Sequence, residues 1–453
     1  MSALLERLPR GSAPALEAGA RVWSYDALHR EIDQWRGHLS ERGIARGLAF
    51  GWLGVNSVPM LAALFACAKL HARFVPLNWR LAAHELHTIA AHAGLTAWHA
   101  DSAFDALESV APSAQPPHTG DDDLLLVYTS GTTAAPKGAL HTQAAMVANI
   151  DAAIDAQGFD AGTRTLAALP LFHVGGLCIQ VLPTLAVGGV VRLLPRFDAD
   201  TWFDDMAEWR PTTSLLVPAT MRALIEHPRW RDADLSSLRF INSGSQIVPR
   251  ALIEAFHARG VPVAQVYGAT ETGPVTLVLR PHEAMAHAGS AGKPALHVQV
   301  RLVDGEVQVR APNLARGYHR RPNDEAFADG WFRTGDLARV DEDGFYEVVG
   351  RSKELIICGG ENIDPAEIEQ IALADAAVAD AAVVGVPHAR WGEVPVLVVV
   401  PRTGAQIDRA RLQAAFNATL AQFKHPRRIF VLAALPKTAL GKVRKTDLLA
   451  TLR

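Results

Sequence analysis

The chain contains one segment dense in groups that bind phosphate, Tyr128-Thr129-Ser130-Gly131-Thr132-Thr133-Ala134-Ala135-Pro136-Lys137-Gly138. A polyphosphate needs hydroxyl and backbone N–H donors at close range; glycine lets the backbone approach, and Lys137 adds a mobile cation. The order is not that of a Walker A loop, because Lys137 follows Pro136 and precedes Gly138. Kinase and P-loop nucleotidase readings lose their main support on that ground. Alone, such a segment also reads as a solvated Ser/Thr/Gly turn. A second segment, Tyr267-Gly268-Ala269-Thr270-Glu271-Thr272-Gly273, sets a carboxylate between hydroxyls. That suits a magnesium ion bridging phosphates, since a hard cation prefers oxygen ligands and keeps several waters.

Further segments follow in order: Trp331-Phe332-Arg333-Thr334-Gly335-Asp336-Leu337, Gly350-Arg351-Ser352-Lys353-Glu354, Gly359-Gly360-Glu361-Asn362-Ile363 and Leu435-Pro436-Lys437-Thr438-Ala439-Leu440-Gly441-Lys442. Singly they are everyday turns and a basic loop. Together with the first two they resemble the signatures of the acyl-adenylate-forming superfamily, which includes acyl-CoA synthetases, firefly luciferase and the adenylation domains of peptide synthetases. The resemblance spans Tyr128 to the C-terminus and implies an AMP-forming ligase using ATP, Mg2+ and CoA with a small-molecule carboxylic acid. It implies that Thr129, Ser130, Gly131, Thr132, Thr133 and Lys137 clamp the β and γ phosphates. Tyr267 and Gly268 would face adenine, Thr270 the α-phosphate and Glu271 the magnesium. Asp336 is similar to the aspartate that accepts both ribose hydroxyls, a task for an acceptor-only carboxylate, with Arg351 its partner. Lys442 looks like the lysine bridging the acid's carboxylate and the α-phosphate, where a cation relieves anion–anion repulsion. Lys437, Arg444 and Lys445 are lesser candidates. Lys353 resembles the hinge about which the C-terminal domain rotates between half-reactions, presenting either Lys442 or the Gly359-Gly360 loop.

The acyl pocket and the CoA tunnel are expected around His173, Val174, Gly175, Gly176, the Ser243-Gly244-Ser245 turn, Val266, Gly359, Gly360 and Trp391. Trp391 and the Phe423-Lys424-His425-Pro426-Arg427 stretch resemble CoA-contacting parts of aryl-CoA ligases. The small walls leave room for a fatty chain or an aromatic ring, and Val266 stands where malonate-activating relatives carry an arginine, so an uncharged tail is implied. The Gly359-Gly360-Glu361-Asn362-Ile363 form resembles CoA ligases, which makes CoA the expected acceptor. The alternatives are a stand-alone domain loading a carrier protein and a nucleotide-binding regulator without catalysis. Two positions depart from the pattern: Ala134 replaces a usual glycine, and His425 stands where a firm cation would hold a CoA phosphate better.

These residues need a scaffold. Leu124 to Tyr128 and Val261 to Tyr267 read as short buried strands with a helix over Ala251 to Arg259 between them, which predicts α/β architecture with parallel-rich sheets. Past Gly292 short strands and turns take over, with Val298 to Val303 and Glu306 to Arg310 separated by Asp304-Gly305, a hairpin signal. An N-terminal adenylation domain is expected over 1–352, with a small β subdomain at about 292–350. A mobile α+β lid is expected over 353–453. Asp364-Pro365-Ala366-Glu367 combines a helix cap, a first-turn proline and a glutamate able to close a capping box, with Ile368, Ile371 and Ala372 on one face.

At 453 residues with 49% hydrophobic and 20% charged residues, the chain has globular composition and is too long for one core. A formal net charge of -3 gives no general attraction to nucleic acid. Cys67, Cys178 and Cys358 are widely spaced, which suits a reducing, cytoplasmic setting. Glu6, Arg7, Arg10 and Glu17 interrupt the N-terminus, so an export signal is not expected. The uncharged run Val174 to Val191 is broken by Pro183 and paired glycines, and reads as a buried helix followed by a strand instead of a membrane span. Self-association into a homo-oligomer is compatible with this composition.

Overall fold

The computed structural model describes residues 2–101, 122–129, 137–321, 324–351, 354–358, 361–388, 391–420, 422–438 and 441–452. The chain forms two compact units. One comprises Met1–Val248, Leu252–Val300 and Gln308–Arg333; the other comprises Thr334–Arg453 with Pro249–Ala251 and Arg301–Val307.

Two sheets organise the first unit. The larger has nine strands, and its consecutive members Pro14–Ala18, Val190–Leu193, Arg164–Ala167, Thr213–Leu216, Phe240–Gly244 and Val263–Tyr267 all run parallel. Antiparallel strands close its two edges. The smaller sheet orders Gly317–Tyr318, Lys137–Thr142, Asp123–Thr129, Arg73–Leu77, Ala49–Leu53 and Leu95–Ala100. Ala49–Leu53 and Arg73–Leu77 are buried at every position, as a parallel strand covered on both faces must be. Helix Val58–Leu70 is apolar all round and buried from Met60 to Ala68, which fits a helix with no solvent face. Its core cluster joins Phe50, Phe74 and Leu125 of the smaller sheet to Leu16, Val191 and Leu193 of the larger. On the larger sheet's other side Trp202, Phe203, Met221, Ile253 and Phe256 form a second core. The run from Val174 is helical to Ala186 and then forms the strand Val190–Leu193. No helix among the described residues is long and apolar enough to cross a membrane.

In the second unit, Val378–His388 and Gly392–Pro401 form a long antiparallel pair, flanked by Ile356–Cys358, Glu361–Ile363 and Arg428–Val431. Ala381 and Val383 pack toward Ile368 and Phe416, while Ala382 and Val384 pack toward Leu435 and Leu448, so each face has its own core. Asp304 and Gly305 both have positive φ, 51° and 81°, as the tight hairpin turn requires. Helix Pro365–Leu373 starts where expected, with the Asp364 side chain accepting from Ala366 N. The capping box is replaced: the Glu367 carboxylate accepts from Lys424 Nζ at 2.5 Å, because an ammonium is a stronger partner for it than a neutral N–H.

Candidate active site

Strands Asp123–Thr129 and Lys137–Thr142 pair with Tyr128 opposite Gly138 and Thr129 opposite Lys137. Leu124 to Val127 are all buried, as a strand covered on both faces of its sheet must be. The pairing therefore brings Thr129 and Lys137, the two ends of the segment expected to hold phosphate, side by side. Ser130, Gly131, Thr132, Thr133 and Ala134 lie outside the described residues, as do Lys353, Gly359 and Gly360. Lys137 Nζ is 3.9 Å from the Asp324 carboxylate and 4.9 Å from the ring centroid of Tyr318.

Strand Val263–Tyr267 ends in a tightly built loop. A Cβ on Gly268 would lie 1.7 Å from the Pro274 carbonyl oxygen, so only glycine fits there. Thr270–Thr272 form a single 3-10 turn, and the Thr272 hydroxyl accepts from Ala269 N at 2.8 Å. The Glu271 carboxylate is buried and receives the Tyr318 hydroxyl at 2.6 Å. The loop's main chain is held from three sides. Ala315 N donates to Glu271 O at 2.7 Å, and Asn313 Nδ2 donates to Thr272 O at 2.9 Å. The buried imidazole of His141, pushed down to about 4 by its burial, hydrogen-bonds the Thr270 main chain and stays neutral near pH 7.

The expected acyl-pocket residues also belong to the first unit. His173 stands at the N-cap position of the helix that begins at Val174 without a side-chain capping bond, its ring 4.4 Å from that of Phe172. The two glycines that follow differ. A Cβ on Gly176 would lie 2.3 Å from the Pro170 carbonyl oxygen, whereas one on Gly175 would meet nothing within 4 Å. Ser243 and Gly244 belong to the end of strand Phe240–Gly244, and the turn begins at Ser245, with φ 71°. This differs from the expected three-residue turn, because the parallel register continues to Gly244 opposite Val266. The buried Ser243 hydroxyl is directed to Met221 Sδ at 3.2 Å, and Val266 is buried.

In the second unit, Asp336 and Arg351 are register partners on neighbouring strands. Arg351 Nε donates to Asp336 Oδ1 at 2.6 Å, with the carboxylate buried and the guanidinium half exposed. Lys442 is exposed on a turn in which Thr438 N donates to Lys442 O at 2.7 Å. Lys437 is ion-paired with Asp380, and Lys445 Nζ lies 2.7 Å from Glu354 Oε2. Trp391 packs against the core around Ile368 and Phe416, and His425 Nε2 is hydrogen-bonded to Leu420 O at 3.0 Å.

Residue types and spacing did not point to Tyr318, His141, Asn313 or Asn56. Asn56 is buried and ties the segment before His173 to the strand Val190–Leu193: its Nδ2 donates to Leu169 O and Leu194 O, and Leu171 N donates to its Oδ1. A lone asparagine or tyrosine carries no pattern of its own; its role follows only once distant strands pair.

Residues 7–109 and 97–319 match the family described as AMP-binding enzyme, and residues 367–442 match the AMP-binding enzyme C-terminal domain. The chain is 42% identical to the indoleacetate–CoA ligase of Aromatoleum aromaticum, over 96% of this chain and 94% of that protein. It is 38% identical to a feruloyl-CoA synthase of an Amycolatopsis species, over 96% and 95%. The solved o-succinylbenzoate CoA synthetase of Bacillus subtilis, in complex with its acyl-adenylate intermediate, superposes with a TM-score of 0.88 at 29% identity, covering 99% of this chain and 97% of that one. Neither carrier-protein loading nor a silent nucleotide-binding role is favoured by these likenesses. The α/β fold and near full-length similarity converge: the chain belongs to the AMP-binding enzyme family and is an AMP-forming acyl-CoA synthetase, joining a carboxylic acid to CoA at the expense of ATP.

Proposed function

We propose that the acid is an aryl-substituted monocarboxylic acid with an uncharged tail. The observation that carries this is the likeness, at 42% and 38% identity over nearly the whole chain, to two ligases whose names give aryl acids as substrates. Buried Val266 and the open space beside Gly175 support it, since a flat ring needs an apolar, unobstructed wall.

In the first half-reaction a carboxylate oxygen attacks the α-phosphorus and the bond to pyrophosphate breaks. The roles we assign are these. Thr129, Ser130, Gly131, Thr132, Thr133 and Lys137 hold the β and γ phosphates. Tyr267 and Gly268 face adenine, and Thr270 donates to the α-phosphate. Asp336, oriented by Arg351, accepts the ribose hydroxyls. Lys442 draws the two anions together. Glu271 fits as the protein's oxygen ligand to Mg2+: its carboxylate is buried and steadied by Tyr318, and magnesium is commonly held by one or two carboxylates plus substrate phosphates. The ion would neutralise charge developing on the phosphates. In the second half-reaction the CoA sulfur attacks the acyl carbon and AMP leaves. Gly359, Gly360 and Trp391 line the route of the thiol arm, and Lys353 is the pivot between half-reactions. The three cysteines are buried and unpaired, which supports residence in a reducing cytoplasm.

The test is ATP–pyrophosphate exchange over arylacetic, hydroxycinnamic and fatty acids, repeated as thioester formation with CoA and no carrier protein. Aryl acids should support the fastest exchange. Faster exchange with fatty acids would overturn the assignment.

A further inference from the structure

Tyr318 touches two groups of the phosphate site that are far apart in sequence. Its hydroxyl donates to Glu271 Oε1 at 2.6 Å, and its ring lies 4.9 Å under the Lys137 ammonium. It is held on the two-residue strand Gly317–Tyr318, which pairs with Lys137–Thr142 so that Tyr318 faces Ala139. The next residue continues the attachment, His319 N donating to Gly138 O at 2.7 Å. The ring edge packs on Phe327 at 5.4 Å between centroids. The side chain is buried, so its torsions are few and its hydroxyl is aimed.

A carboxylate whose one oxygen is fixed by a hydroxyl cannot rotate freely about its terminal torsion. A carboxylate that ligates a magnesium ion carrying phosphates and waters must present its oxygen within a narrow octahedral geometry. From these contacts we propose that Tyr318 is a positioning residue for adenylation: it orients the Glu271 carboxylate toward the metal–nucleotide, and its ring seats Lys137 beside it. The proposal rests on the reading of Glu271 as the metal-binding residue.

The test is a titration of the full-length protein with Mn2+ and ATP in the absence of acid, followed by electron paramagnetic resonance of free Mn2+. It is made for the wild type, Tyr318→Phe, Glu271→Gln and the double variant. Tyr318→Phe keeps the ring and removes only the hydroxyl. It should weaken Mn2+ retention on the protein–ATP complex about tenfold, the size expected for one hydrogen bond to a charged group. Its effect should vanish in the Glu271→Gln background, since two residues acting as one unit are not additive. Retention unchanged in Tyr318→Phe while Glu271→Gln loses it would overturn the positioning role alone. Retention unchanged in Glu271→Gln would overturn the reading of Glu271 itself. A Tyr318→Phe effect that persists undiminished in the double variant would show a general structural role and also overturn the proposal. The thermal unfolding midpoint of each variant, expected within a few degrees of wild type, separates misfolding from lost orientation.

Discussion

Replacing Asn56 by alanine should release the segment that carries Phe172 and His173. Asn56 is 5% exposed and its amide makes three hydrogen bonds, to Leu169 O and Leu194 O at 2.9 Å each and from Leu171 N at 2.8 Å. Counted as ordinary bonds at about 0.5–1.5 kcal/mol each, their loss costs about 1.5–4.5 kcal/mol. Counted as three buried groups left unpaired, the cost is about 3–9 kcal/mol. Water entering the vacated polar space would satisfy part of that demand, which places the expected effect where the two ranges overlap, at about 3–4.5 kcal/mol. The cost falls on local opening, so the sensitive assay is hydrogen exchange at the Leu171 amide, whose acceptor is removed. Each 1.4 kcal/mol is about tenfold in an equilibrium constant, so protection at Leu171 should fall by roughly two to three powers of ten. In steady state the KM for the acid should rise while the KM for ATP changes little, because the tethered segment leads into the expected acyl pocket. Leu171 protection within about threefold of wild type would refute this account of Asn56.

Lys442→Ala should lower adenylation by at least about a hundredfold, the scale of losing one group that stabilises developing charge. It should largely spare thioester formation from supplied acyl adenylate, and equal loss in both half-reactions would contradict the assignment. A pH dependence follows from Asp364, whose carboxyl is pushed up to about 6 by burial; the buried Glu369 is raised for the same reason. Between the ordinary aspartate range near 4 and about 6, the folded state binds more protons than the unfolded one. The stability of the unit built on Thr334–Arg453 should therefore fall as pH rises through that window. Asp364→Asn, which retains a capping side chain, should flatten the slope of the denaturant midpoint between pH 4 and 6.5. A midpoint that rises with pH over that range would contradict the sign.

What was legible in the sequence was local. Strands such as Asp123–Thr129 announce themselves by runs of apolar residues that only a two-sided burial can use. The Asp304-Gly305 turn and the Asp364 cap are read from residues whose backbone or side-chain chemistry admits few alternatives. Asp336 and Arg351, both expected at the ribose, are register partners on neighbouring strands. The partners of the Glu271 loop and of the segment before His173 were not legible. Tyr318 lies 47 residues from Glu271, and Asn56 lies 115 and 138 residues from Leu171 and Leu194. Those pairings are created by sheet order, and sheet order is not written in any window short enough to show a period. The capping box failed for a related reason: Lys424, 57 residues away, competes for Glu367.

The three-sided hold on Thr270–Thr272 has a consequence for how ligand binding is divided between enthalpy and entropy. His141, Ala315 and Asn313 already engage the main chain of those three residues, so their backbone freedom, about 1–2 kcal/mol per residue, is lost when the chain folds and not when nucleotide arrives. On the proposed role of Thr270 and Glu271, nucleotide gains contacts with this loop without ordering it, and that part of the association should proceed without a slow loop-closing phase.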